Sequence, residues 1–186
     1  NFMRTEKTRN LILCAMFVAL IAVGAFIRIP VPVVPFTLQL LFTTLAGLLL
    51  GGKLGALSVS VYVAMGLIGL PVFAEGGGIG YVLMPSFGYL IGFIVGAYVT
   101  GVIANKVAKP GYKRLFAATF SGLGIVYLFG MVYCYLISNL YIGDPIGVWP
   151  LVLYCFILPV PGDIALCSLS ALLGKRIIPV MKKGEI

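Results

Sequence analysis

Long apolar runs, separated by short polar or proline-rich breaks, cover most of the chain. The first run is long enough to cross the hydrocarbon core of a membrane as a helix, which takes about 20 residues. Shorter runs can also span when neighbouring helices bury them. The six spans that the pattern predicts are residues 9–29, 37–51, 54–70, 86–107, 115–141 and 151–178, the last interrupted early by Pro159 and Pro161. We therefore predict an all-α integral membrane protein with six transmembrane helices, in which residues 1–186 form a single domain.

The composition agrees with a membrane protein and excludes several kinds of chemistry. Hydrophobic residues make up 61% of the 186 residues and charged residues 10%, whereas a soluble domain carries roughly a quarter charged residues. Histidine, which is the commonest metal ligand and a frequent general base, is absent. The four cysteines, Cys14, Cys134, Cys155 and Cys167, lie inside apolar runs without a CxxC spacing. We interpret them as buried packing residues with no redox or metal role.

The basic residues predict the orientation of the spans. With the N-terminus in the cytoplasm, all but one of the 13 basic residues fall on the cytoplasmic side, and Arg28 lies outside. Short cytoplasmic loops carry this kind of excess of Lys and Arg. We therefore expect both termini to lie in the cytoplasm. The net charge of +8 needs no nucleic-acid partner to explain it.

The predicted outer loops, residues 28–36, 71–85 and 142–150, are irregular. The second one contains three consecutive glycines, and aromatic residues lie within it and beside it: Phe73, Tyr81, Phe87 and Tyr89. Irregular backbone at membrane depth is tolerated where protein or a water-filled cavity surrounds it. Glycines allow the main chain to approach a ligand closely, and aromatic rings commonly line small-molecule pockets. We predict that the outer loops form a ligand pocket; the alternative is a flexible surface turn.

Two polar residues stand out because of their positions in or next to apolar spans. Asp163 follows the Pro-Gly break in the sixth predicted span, and a charge at that depth is a functional-site hypothesis by default. The alternatives are a structural ion pair or a cap on the broken helix. Gln39 is an amide at the start of the second span, and its partners could be protein groups or a ligand.

Small residues at helical spacing form two faces. Ala15 and Ala19 lie on one face of the first span, and Gly88, Gly92 and Gly96 lie on one face of the fourth. Such faces permit close contact between helices, either inside the bundle or with another subunit. Internal packing is the default interpretation for both.

Four segments, in this order and with six spans, resemble the biotin-binding S component of energy-coupling-factor (ECF) transporters. They are VPFTLQ (34–39), GLIGLPVFAEGGG (66–78), PSFGYLIGF (85–93) and LPVPGDIALCSLSALL (158–173). The resemblance implies a vitamin-capturing subunit in the cell membrane of a prokaryote, with a pocket that opens outward. It also implies that Ala15 and Ala19 dock onto a T-type transmembrane coupling subunit, which carries two ABC-type ATPases. The chain itself is then not an enzyme, and biotin is its ligand, with no cofactor and no metal.

The resemblance also implies roles for individual side chains around biotin. Asp163 would accept a hydrogen bond from a ureido N–H group, and Gln39 or loop N–H groups would donate to the ureido carbonyl. Arg28 would bind the tail carboxylate or, equally, anchor the helix at the lipid headgroups. The full set of candidate ligand-binding residues is Arg28, Phe36, Thr37, Gln39, Phe73, Gly76, Gly77, Gly78, Tyr81, Tyr89 and Asp163.

The chain departs from the family pattern at two places. Leu166 stands where a lysine is expected, which removes an ion pair within the sixth span, and Met84–Tyr89 replaces a Gly-Pro-Thr-Gly-Gly-Tyr segment. The competing functions are an S component for another vitamin, an ion-coupled secondary transporter and a membrane-embedded enzyme. A secondary transporter is typically built from internal repeats, and we detect none in the sequence. An enzyme would need paired carboxylates or an activated nucleophile.

Overall fold

The structure is a computed structural model that describes residues 2–30 and 33–183, apart from the side chain of Phe2. Its α-helices are α1 (Phe2–Phe26), α2 (Gln39–Leu50), α3 (Gly52–Leu67), α4 (Phe87–Ala104), α5 (Tyr112–Ile137), α6 (Val148–Val152) and α7 (Val160–Lys183). Two short strands, β1 (Arg28–Ile29) and β2 (Phe36–Thr37), pair antiparallel. A 3₁₀ helix covers Ile79–Leu83, and wider π-type turns cover Ser138–Ile142 and Leu153–Ile157.

The described residues contain four helical stretches that are long and apolar enough to cross a membrane. These are Met3–Phe26, Phe87–Ala104, Tyr112–Ile142 and Val148–Lys183. Two shorter apolar helices, α2 and α3, correspond to the second and third predicted spans. At about 1.5 Å rise per residue, the 12 residues of α2 extend roughly 18 Å, well short of a 30 Å hydrocarbon core. The regular elements of the described residues are helices apart from two strands of two residues each, which confirms the prediction of an all-α fold.

Two boundaries differ from the prediction. α1 begins at Phe2 instead of residue 9, because the polar tail continues the helix beyond the apolar run. The predicted irregular segment 28–36 contains part of a hairpin, in which Arg28 pairs with Thr37 and Ile29 with Phe36. Residues 31 and 32 of that segment lie outside the described residues.

One end of the bundle gathers basic side chains on helix ends, and we call it the basic end. Lys182 Nζ donates to the Ala108 carbonyl at 2.9 Å, and Arg114 Nη1 donates to the Ile103 carbonyl at 3.0 Å. Arg9 Nη2 reaches the Met181 carbonyl at 3.2 Å, so the two terminal helices meet at this end. We call the opposite end, which carries the hairpin and residues 71–85, the loop end.

Helices cross very closely near the basic end. A Cβ atom on Gly55 of α3 would lie 2.7 Å from the Gly47 Cα atom of α2 and 2.8 Å from the Ala46 carbonyl oxygen. Both distances are shorter than 3.0 Å, which real Cβ atoms essentially never show. The two main chains are therefore in contact, and a side chain at position 55 has no space.

The two small-residue faces have different surroundings. The α4 face packs against α5, because a Cβ on Gly92 would lie 2.8 Å from Val126 Cα and one on Gly96 would lie 3.0 Å from the Gly122 oxygen. The interpretation of the α4 face as internal packing is confirmed. Ala15 and Ala19 of α1 are instead exposed on the outside of the described bundle.

The predicted interruption of the last span is present and longer than expected. The wide turn Leu153–Ile157 ends α6, Pro159 lies in the following turn, and α7 begins at Val160. Pro161 is accommodated in the first turn of α7, where a missing N–H group leaves no hydrogen bond unmade. The break places Asp163 near the start of a helix at the loop end.

Candidate ligand-binding site

Residues 71–85 fold back on the end of α3 through their own main-chain hydrogen bonds. Phe73 N–H donates to the Gly76 carbonyl at 2.9 Å, and Gly78 N–H donates to the Gly66 carbonyl at 2.7 Å. Gly76 and Gly78 have φ values of +124° and +98°, a region that residues with a Cβ atom rarely adopt. This segment is thus a hydrogen-bonded structure, and its glycines serve the turn itself.

Aromatic rings at the loop end rest on glycines of neighbouring helices. A Cβ atom on Gly130 of α5 would lie 2.6 Å from the Tyr89 ring, and one on Gly162 of α7 would lie 2.6 Å from the Phe36 ring. The Phe73 ring occupies the same kind of position over Gly66. Each glycine leaves room for a ring where any other residue would push it away.

Two of these rings, Phe36 and Tyr89, line a cavity at the loop end. Its empty volume is about 610 Å³, including the part open to solvent. The residues that line it come from the hairpin, the loop after α3, helices α2, α4 and α5, and the start of α7: Val34, Pro35, Phe36, Thr37, Gln39, Leu40, Ala74, Tyr81, Ser86, Tyr89, Leu90, Phe93, Val126, Tyr127, Pro159 and Asp163.

Asp163 is held by a tyrosine that the sequence analysis missed. The Tyr127 hydroxyl of α5 donates a hydrogen bond to Asp163 Oδ2. The Tyr127 ring lies 6.4 Å from that of Tyr89 and 5.2 Å from that of Phe156, between centroids. A phenol in the middle of an apolar span needs a hydrogen-bond partner, and that requirement was the available signal for Tyr127. The carboxylate lies in the first turn of α7, where the helix dipole favours negative charge.

Gln39 belongs to a second polar group in the cavity wall. Its Nε2 atom donates to the Tyr62 hydroxyl at 2.5 Å, and that hydroxyl donates to the Val72 carbonyl at 2.7 Å. Gln39 N–H donates to Thr37 Oγ1 at 3.3 Å. One hydrogen of the Gln39 amide is therefore used within the protein, and the other is available to a ligand.

Ser86 and Tyr81 form a third polar position. Ser86 Oγ is buried and, among the described residues, has no hydrogen-bond partner. The Tyr81 phenol lies next to it, but the two hydroxyls do not meet the geometry of a hydrogen bond. Burial raises the pKa of that phenol, so it stays protonated and able to donate. The Tyr81 ring lies 4.5 Å from the Phe73 ring. A buried hydroxyl without a partner is unfavourable, and a ligand in the cavity would relieve it.

The structure brings together six of the eleven candidate residues. Phe36, Thr37, Gln39, Tyr81, Tyr89 and Asp163 all line the cavity. The other five candidates do not line it, and the prediction that they face the ligand disagrees with this lining: Arg28, Phe73, Gly76, Gly77 and Gly78. The Arg28 guanidinium is exposed and donates to the Ala74 carbonyl, which ties the hairpin to the loop. Phe73 is 1% exposed and supports Tyr81 from behind.

Apolar helices around a cavity that is lined by aromatic rings and by the Asp163 carboxylate are the architecture of a multi-pass membrane protein with a small-molecule pocket. The sequence model of the BioY family matches residues 3–183. This chain belongs to the BioY family.

Its relatives and a solved structure agree with this assignment. The chain is 44% identical over 183 residues to a probable biotin transporter of Lysinibacillus sphaericus, covering 98% of this chain and 93% of the relative. It is 46% identical over 137 residues to a biotin transporter of Thermotoga maritima, covering 73% and 78%. A 2.1 Å crystal structure of the S-component for biotin from an ECF-type ABC transporter matches with a TM-score of 0.68 at 28% identity, covering 93% of this chain and 92% of that one.

Proposed function

We propose that this protein is the biotin-binding membrane subunit of an ECF-type uptake transporter. The observation that carries the proposal is the pair Asp163 and Tyr127 at the inner wall of an aromatic cavity, in a chain of the BioY family. Biotin combines a ureido ring with an apolar tail and a terminal carboxylate. The cavity offers a carboxylate acceptor, rings and aliphatic side chains, and a separate set of donors.

The separation of the polar groups suggests how biotin lies in the cavity. Asp163 accepts from a ureido N–H group, which is a charge-assisted hydrogen bond. The remaining amide hydrogen of Gln39 donates to an oxygen of the ligand. The Ser86 and Tyr81 hydroxyls donate to the tail carboxylate. Phe36 and Tyr89 cover the ring system between these groups.

We place the loop end outside the cell and the basic end in the cytoplasm, with six spans. The clustering of Arg9, Arg114 and Lys182 at the basic end supports this orientation. α2 and α3 count as spans because other helices bury them on several sides. Single cysteines introduced at Asp144 and at Lys109, in a chain whose own cysteines are replaced, test it in intact cells. A membrane-impermeant maleimide should label position 144 and leave position 109 unlabelled.

The exposed alanines of α1 support a docking face for a partner helix. Ala15 and Ala19 lie on the outside of the bundle, and small residues allow a second helix to approach closely. We assign this face to the T-type coupling subunit, and we assign ATP hydrolysis to the two ABC-type ATPases that this subunit carries.

Replacing both alanines by leucine should prevent copurification with the coupling subunit and stop uptake, while biotin binding persists. The matched control is Ala117→Leu, because Ala117 is an exposed alanine of α5, which packs mainly against α4 and α7, whereas α1 packs against α2 and α3. Copurification of the double variant at the level of the control would contradict the docking face.

Equilibrium binding of biotin to the purified protein tests the function itself. We expect saturable binding without ATP and in the presence of a chelator, because the proposed site uses no cofactor and no metal. Other vitamins serve as competitors, and mass spectrometry of ligand extracted from the purified protein identifies what it carries. Absence of saturable biotin binding, or a different vitamin in the extract, would overturn the assignment.

A further inference from the structure

Two cysteines that are distant in sequence touch behind the cavity wall. Cys134 lies in α5 and Cys155 in the wide turn Leu153–Ile157, and both are fully buried. The Cys155 thiol is directed at Cys134, with 3.8 Å between the sulfur atoms. Cys14 contacts the Leu54 carbonyl and Cys167 the Thr119 carbonyl. The spacing of 21 residues gave no indication of a pair, because the broken helix is what folds Cys155 back against α5.

The pair is connected to the cavity through Tyr89. The Tyr89 hydroxyl donates to the Cys155 main-chain carbonyl at 2.9 Å, and its ring rests on Gly130, one helical turn before Cys134. The segment that carries Cys155 continues to Pro159 and Asp163, which also line the cavity. A change at the two sulfurs therefore acts on the positions of Tyr89 and Asp163.

We propose that Cys134 and Cys155 form a reversible disulfide when the folded protein meets a peroxide, and that this bond slows the exchange of ligand at the cavity. A disulfide requires the sulfurs to come within about 2.0 Å, so the two sulfur atoms, now 3.8 Å apart, have to close the remaining gap. Neither cysteine lines the cavity, so hydrogen peroxide, one of the smallest oxidants, has to pass the wall that Tyr89 forms to reach the sulfurs.

The chemistry balances with one peroxide for each pair of thiols. One thiolate attacks a peroxide oxygen, the O–O bond breaks, and a sulfenic acid and hydroxide form. The second thiol attacks the sulfenic sulfur, the S–O bond breaks, and the S–S bond forms with loss of water. The hydroxide takes up the proton that the first thiol lost, so the two sulfurs together lose two electrons and two protons and the peroxide is reduced to two molecules of water.

The disulfide is tested directly on the purified, reduced protein in detergent. After hydrogen peroxide treatment, the protein is denatured, alkylated and digested, and the peptides are analysed by mass spectrometry. We expect a peptide linking Cys134 to Cys155, with Cys14 and Cys167 alkylated. Cys134→Ala and Cys155→Ala should each abolish the linked peptide, and Cys14→Ala should behave as wild type. Full alkylation of all four cysteines, or a link that involves Cys14 or Cys167, would overturn the proposal.

The effect on exchange rests on the proposed function and is measured with labelled biotin. Tying the wide turn to α5 restricts local opening of the wall, so we expect dissociation to slow roughly threefold or more. Dithiothreitol should restore the original rate, and Cys134→Ala should show no response to peroxide. A disulfide without a change in rate would overturn the link to the cavity. Failure of the reduced protein to bind biotin would overturn that link and the proposed function together, while the mass spectrum would still decide the disulfide.

Discussion

The basic end and the loop end of the bundle use glycine in opposite ways. At the basic end, Gly55 allows two helix backbones to touch, with a separation that leaves no space for a Cβ atom. At the loop end, Gly130 and Gly162 receive aromatic rings, and the rings rather than the backbones fill the space between elements. The first arrangement gives a closed bundle, and the second leaves a cavity bounded by ring faces.

The difference follows from where the helices are broken. Near the loop end the chain turns through the hairpin, residues 71–85 and the wide turn Leu153–Ile157. Irregular backbone of this kind is stable at membrane depth when protein surrounds it and satisfies its polar groups. We therefore expect the stability of the bundle and the binding of the ligand to depend on different ends, and single substitutions should separate the two.

The largest expected effect on binding comes from Asp163→Asn at the loop end. The change keeps the shape and one acceptor oxygen but removes the charge, and the new NH₂ group faces the ligand's own donors. A charge-assisted hydrogen bond contributes about 1.5–3 kcal/mol, so we expect the affinity for biotin to fall by about tenfold or more. Isothermal titration calorimetry measures it.

The control for that substitution is Asp144→Asn, which removes an exposed carboxylate from the same end and should leave the affinity unchanged. Thermal unfolding of both variants without ligand completes the test. If Asp163→Asn lowers the unfolding temperature and leaves the affinity intact, Asp163 serves the broken helix and does not bind the ligand.

The next largest effect is expected at the basic end, on stability alone. Gly55→Ala forces a methyl group against the main chain of α2, which cannot move independently. Overpacking of this kind costs typically about 1–3 kcal/mol of unfolding free energy. Gly124→Ala in α5 is the matched control, because a Cβ atom there would meet nothing within 4 Å. A loss of biotin affinity in folded Gly55→Ala, without loss of stability, would break the division between the two ends.

Gly130→Ala should give a smaller effect than Gly55→Ala, and the effect should fall on ligand affinity instead of stability. The added methyl group pushes against the Tyr89 ring, which is a side chain and can shift, so most of the change falls on the shape of the cavity. A displacement that weakens binding by about 1 kcal/mol lowers the affinity roughly fivefold. Gly124→Ala again provides the control on the same helix. Unchanged affinity would mean that Tyr89 does not need its present position to bind the ligand.

Hydrophobic runs were sufficient to predict the helices, because length and apolarity decide which segments can cross a membrane. They could not predict that α1 begins at Phe2, because a polar segment next to an apolar run can be either a helical extension or an irregular tail. They also missed the short hairpin, whose pairing of Arg28 with Thr37 depends on contacts that no local pattern encodes.

The lining of the cavity was predictable where a polar residue conflicts with its apolar surroundings. Asp163 and Gln39 were identified because a polar group in an apolar span requires a partner, and both line the cavity. Tyr127 carries the same signal more weakly, because a tyrosine is also a common packing residue. Gly76 and Phe73 were assigned to the ligand because their chemistry suits one. Only the fold reveals that the glycine serves a turn and that the ring lies behind Tyr81.

The smallest expected effect compares two buried serines, one at each end. Ser86 Oγ has no partner among the described residues and faces the cavity, whereas Ser58 Oγ at the basic end donates to the Leu54 carbonyl at 3.0 Å. A hydrogen bond from Ser86 to the ligand contributes about 0.5–1.5 kcal/mol. Ser86→Ala should therefore weaken biotin binding by only about two- to threefold, at the low end of that range because the Tyr81 phenol can still donate to the ligand, with no loss of stability in the absence of ligand. Ser58→Ala should lower the stability of the protein and leave its affinity for biotin unchanged. Titration with biotin and with its neutral amide locates the contact: the loss in Ser86→Ala should shrink for the amide if the hydroxyl meets the tail carboxylate. An equal loss for both ligands would move Ser86 away from the tail.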